Sequence, residues 1–62
     1  MKKSLFEVIE RAKAMSNEFP DICYYVMDKK GKRAICISDA TYRERVLDGY
    51  YTYCKFLNGK VC

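Results

Sequence analysis

The sequence contains no histidine. That removes the usual general base near neutral pH, and with it any Ser–His or Cys–His nucleophile pair. Four cysteines are present, Cys23, Cys36, Cys54 and Cys62, but no two of them form a C-x-x-C pair. Tetrahedral zinc normally draws on ligands at such short spacing, so no metal site is expected. There is no glycine-rich phosphate loop, and no cofactor is expected. No repeat, linker or low-complexity stretch divides the chain. The start, Met1-Lys-Lys-Ser, leads into an amphipathic segment from Leu5 to Phe19 that carries Glu7, Glu10, Arg11 and Lys13. That is neither a secretory h-region nor a membrane segment. With Met1 as the true start, the expectation is a cytoplasmic protein whose thiols stay reduced and serve as small core residues. A disulfide staple is the alternative, and Cys62 at the chain end is set apart as exposed and reactive, or frayed.

What is present is apolar material. Half of the 62 residues are hydrophobic, with six tyrosines and three phenylalanines, which argues for a core and against disorder. A chain this short forms one small domain and buries only about 60% of its unfolded surface, so a partner subunit would help.

Ser4-Leu-Phe-Glu7 is a capping box. Leu5, Val8, Ile9, Ala12, Met15 and Phe19 follow at helical spacing, and Pro20 stops the run. The first helix is therefore placed at about 4–18, with Phe6 off its apolar stripe. Residues 22–38 read as a β-hairpin around a Lys30-Gly31 turn. That register sets Asp28 against Arg33, Val26 against Ile35 and Tyr24 against Ile37. One face then holds Ile22, Tyr24, Val26, Ile35 and Ile37. The other holds Cys23, Tyr25, Met27, Ala34 and Cys36.

The last third admits two readings. Asn58-Gly59 suits a hairpin turn. Against it, Tyr42, Val46, Tyr50, Tyr53, Cys54 and Leu57 recur at helical spacing after a second capping box, Thr41-Tyr-Arg-Glu44, with Ser38 or Asp39 as an earlier cap. The helix over about 40–58 is favoured, with Gly49 as a mid-helix cost of about 1 kcal/mol and Gly59 as C-cap. The expected fold is a single α+β domain in α-β-β-α order, with two helices side by side on one face of a two-stranded hairpin. The other face stays open.

An open apolar face leads to the main functional expectation, a small non-enzymatic protein–protein interaction module of an accessory or regulatory kind, working as a homodimer joined through that face or a strand edge. Its general character suits a small bacterial or phage accessory protein. Tyr25, Met27 and Cys36 on the open face, Tyr51 as an outward tyrosine, and Arg43 as the one charge inside an apolar arc are the expected interface residues. The alternative is a nucleic-acid-binding regulator. Net charge is +4, and Lys29, Lys30, Lys32 and Arg33 cluster around Gly31 at the hairpin tip. Nearly all the acids map to polar helix faces, caps or turns, with no two forced into a pocket, so no enzyme is expected.

Overall fold

The computed structural model describes residues 3–61, with side chains from residue 5 onward. Its elements are α1 (Lys3–Glu18), β1 (Tyr24–Asp28), β2 (Ile35–Ser38), α2 (Asp39–Leu47), β3 (Tyr51–Leu57) and β4 (Lys60–Val61). The four strands form one antiparallel sheet in the order β2-β1-β3-β4. This is a small α+β fold, as the sequence suggests, but with a four-stranded sheet in place of a two-stranded hairpin.

The first helix falls where its periodicity puts it. Ala12 is fully buried, and it packs with Tyr24, Val26 and Phe56 at the centre of the core. Val8, Ile9 and Met15 close over them. Phe6 lies outside this packing and is exposed. The capping side chain expected at Ser4 lies outside the described residues.

The second helix corrects the expectation. It is nine residues long, because Gly49 ends it rather than interrupting it. Gly49 adopts φ 98°, a conformation that favours glycine. Its N–H donates to Val46 O and the Tyr50 N–H donates to Arg45 O, the paired bonds of a Schellman termination. At the other end, Ser38 is the N-cap in extended geometry, one turn before the Thr41–Glu44 box. Tyr51, Thr52, Tyr53, Cys54 and Phe56 are residue types that favour a pleated surface, and they run on as β3. The helical spacing through Tyr50, Tyr53 and Leu57 is coincidental. Tyr53, expected on a core stripe, is exposed.

Two turns with similar sequences behave differently. Asn58 and Gly59 both take positive φ, 55° and 78°, which is the turn whose twist matches paired strands. At the hairpin tip only Gly31 does, with Lys32 N–H donating to Lys29 O. A positive φ at the third turn position alone splays the strands. The ladder therefore stops at Met27↔Ile35, and the register is Tyr24↔Ser38 and Val26↔Cys36, one residue away from the expected one. Asp28 does not face Arg33. It is buried, and its carboxylate accepts from the Lys29 N–H and the Tyr51 hydroxyl.

The shift exchanges partners across the sheet. Tyr24, Val26, Cys36, Cys54 and Phe56 share the face under α1. Tyr25, Met27, Ile35 and Ile37 share the other. That face is not open, because α2 lies on it. The rings of Tyr25 and Tyr42 stack with centroids 4.0 Å apart. The two helices thus sandwich the sheet instead of lying side by side. Where β1 meets β3, Val26 pairs with Cys54 and Met27 with Thr52, so Tyr53 is left between the pairs, a bulge that absorbs one residue.

One tie joins the ends of the fold. Ser16 is fully buried; its hydroxyl donates to Lys13 O and accepts from the Gly59 N–H at 2.8 Å. Replacing Ser16 with alanine leaves that N–H without its partner and should cost about 1–3 kcal/mol. Gly49→Ala gives a test of opposite signs. In a helix interior the change stabilises by about 1 kcal/mol. At a left-handed terminator it destabilises by roughly 1–2 kcal/mol. Thermal unfolding followed by circular dichroism should show a lower Tm for both variants, and a raised Tm for Gly49→Ala would restore the long helix.

Candidate protein interface

A four-stranded open sheet has two edges, and this chain treats them differently. The β4 edge is only two residues long and begins with Lys60, both common ways of blunting an edge. The β2 edge is four residues, Ile35-Cys-Ile-Ser38, with no charge and no proline. All four are half-buried, covered on their faces by the helices, and among the described residues no strand of the sheet lies beyond them.

The direction of the backbone groups follows from one bond. Asp39 N–H donates to Cys23 O at 3.1 Å, the next rung after Tyr24↔Ser38. Antiparallel rungs alternate between bonded and non-bonded pairs. Ile35 and Ile37 therefore point their N–H and C=O groups at β1. Cys36 and Ser38 point theirs outward from the sheet.

Opposite charges flank this edge. Arg33 precedes it and is exposed. Asp39 follows it and is held in place, since its Oδ1 accepts the Tyr25 hydroxyl at 3.0 Å. The hydroxyls of Tyr42 and Thr52 lie 3.0 Å apart and fasten the same helix to β3. No residue of α2 is buried, and Leu47 at its end is 81% exposed.

The expected interface residues separate. Met27 is fully buried and is not available to a partner. Tyr25 is occupied by Tyr42 and Asp39. The Cys36 side chain lies half-buried on the α1 face of the edge strand, and its backbone groups point outward from the sheet. Tyr51 is exposed but bonded through its hydroxyl to Asp28 at 3.2 Å. Arg43 lies on the outer surface of α2 with Ala40, Glu44 and Leu47. A strand edge is the other dimerisation route the sequence suggests, and Ile35–Ser38 at this edge carries no charge and no proline.

At the basic tip, Lys29 is committed within the chain. Its Nζ donates to Asp48 O at 2.6 Å and sits over the Tyr50 ring, 5.6 Å from the centroid. Lys30, Lys32 and Arg33 are exposed. Arg33 and Arg11 line a cleft of about 200 Å³ with Glu7, Val8 and Ala34. Among the described residues no three histidine, cysteine, aspartate or glutamate side chains gather as a metal site would need, and no helix is long and apolar enough to cross a membrane.

Cys23, Cys36 and Cys54 are free thiols. Cys36 and Cys54 both oppose Val26, one from each side of β1. Two inter-strand spacings, roughly 10 Å, separate them, beyond the reach of a disulfide. Burial pushes both thiols up, with Arg11 partly offsetting the effect at Cys36. The Tyr25 phenol is also raised, first by desolvation and then by its bond to Asp39.

All three shifts have one sign. The unfolded chain releases these protons at lower pH than the folded one, so stability is full below the ordinary thiol range and falls as pH rises through it. Urea midpoints measured from neutrality upward should decline above about pH 8.5. A midpoint that stays level through that range would show that the three groups are solvated as in the unfolded chain.

Comparison with known proteins finds no family model, no curated protein and no solved structure that matches this chain.

Proposed function

We propose that this protein is a non-enzymatic protein-association module of an accessory kind that works as a homodimer joined along the β2 edge. The observation that carries this is the contrast between the two edges of the sheet, one short and charged, the other longer and without charge or proline. An edge strand of that kind is a template for a further strand. The exposed α2, with Leu47 81% exposed, adds apolar surface elsewhere on the molecule.

Sedimentation equilibrium at micromolar concentration should give twice the chain mass. Ser38→Pro is the matching variant. It removes one outward N–H, sits at φ −90°, a modest adjustment from the φ proline imposes, and leaves the rungs to β1 intact. It should weaken the dimer while the circular dichroism spectrum is kept. A protein that stays monomeric throughout would end the proposal. A salt-sensitive shift of duplex DNA, lost on Lys30→Glu with Lys32→Glu, would favour the regulator instead. Three contacts from Lys30, Lys32 and Arg33 correspond to a log–log salt slope of about −3.

A further inference from the structure

The outward groups of the edge restrict how two copies can pair. A two-fold axis perpendicular to a continuous sheet sets like faces on the same side. Directly opposed residues in an antiparallel pair also share a side. Opposed residues must therefore have the same parity, and the axis passes through a residue rather than between two. Within Ile35–Ser38 the outward-pointing residues are Cys36 and Ser38, as the Asp39-to-Cys23 bond fixes.

With the axis at Cys36, each Cys36 N–H meets the Cys36 carbonyl of the other copy, and Ala34 opposes Ser38 on both sides. Every outward group of the strand is then used. With the axis at Ile37, the ladder shifts toward α2, where the chain leaves the sheet at Asp39. The Cys36 axis has a second consequence. It brings Arg33 of each copy abreast of Asp39 of the other, twice by symmetry. Arg33 makes no ion pair among the described residues, and Asp39 has only Oδ1 engaged among them.

We infer that the partner of the β2 edge is a second copy of this chain, paired antiparallel with Cys36 on the two-fold axis and with reciprocal Arg33–Asp39 ion pairs closing the two ends of the ladder. This register rests on the homodimer proposed above and specifies it. Cys36 of the two copies then stands as a hydrogen-bonded cross-strand pair, with Cα atoms about 5.5 Å apart, inside the Cα range a disulfide spans, and a small local shift brings the wider Cβ atoms of such a rung together.

Two measurements test it on the full chain. In the first, the protein is treated with diamide. Each Cys36 thiol gives up one proton and one electron, an S–S bond forms, and the azo group of the reagent is reduced to the hydrazine. Peptide mass mapping should find Cys36 joined to Cys36. In the second, Arg33→Asp and Asp39→Arg are made separately. Each should weaken its own homodimer by roughly two- to thirtyfold, since two exposed ion pairs become two repulsions. An equimolar mixture should form a heterodimer of near wild-type affinity, because both pairs are restored between unlike chains. Circular dichroism of each variant checks its fold, and the diamide experiment needs no variant. A dimer by sedimentation whose cross-links avoid Cys36, or whose charge variants fail to complement, overturns this register and leaves the homodimer standing. A monomer by sedimentation removes both.

Discussion

The fold depends on the double burial of one short strand. Val26 and Met27 are adjacent in β1, point to opposite faces of the sheet and are both fully buried. Neither face can be left to water, so the chain needs a layer on each. It needs a neighbour along each edge of β1 as well, and β2 and β3 supply them. The remaining elements are arranged around that requirement. α1 covers the Val26 side with its apolar stripe. α2 covers the other side and must be short, because the chain has to turn back in time for Tyr51–Leu57 to reach β1. Gly49 sets that length.

Much of this is legible in the residues, and what is not has identifiable causes. The extent of α1 follows from spacing and from Pro20, since both act locally. The apolar character of both faces of residues 22–38 is also plain, and it correctly signals a strand that something must cover on each side. What covers the second face is not a local property. It turns on whether Gly49 interrupts a helix or ends one, and the same residue fits both until the Tyr51–Phe56 run is weighed as β-forming material. The one-residue error in the hairpin arose from the Lys at position 30. Asparagine at the matching position 58 adopts positive φ and lysine does not, so Lys30-Gly31 and Asn58-Gly59 make different turns. Met27 and Tyr25 are engaged within the chain because α2 covers the face they share. Which backbone groups of Ile35–Ser38 face outward is a matter of register, and register is what the turn decides.

The two helices contribute unequally. α1 inserts Ala12 and Ser16 into the interior, and Ser16 reaches the β3–β4 turn through its hydroxyl. α2 has no buried residue and is held by a tyrosine stack, two hydroxyl contacts and the Lys29 bridge from the hairpin tip to Asp48 O. Polar fastenings at the surface open more readily than packed side chains, so the α2 side is the place for the lowest-energy local openings of this fold.

The sheet order also bears on how the chain folds. β1 lies between β2 and β3, yet β3 comes after both β2 and α2 in the chain. The first hairpin closes over a short loop, whereas β3 reaches the inner edge of β1 only after α2 has turned the chain back. Until then β1 presents an unpaired rim, and the shortness of α2 keeps the loop that must close small.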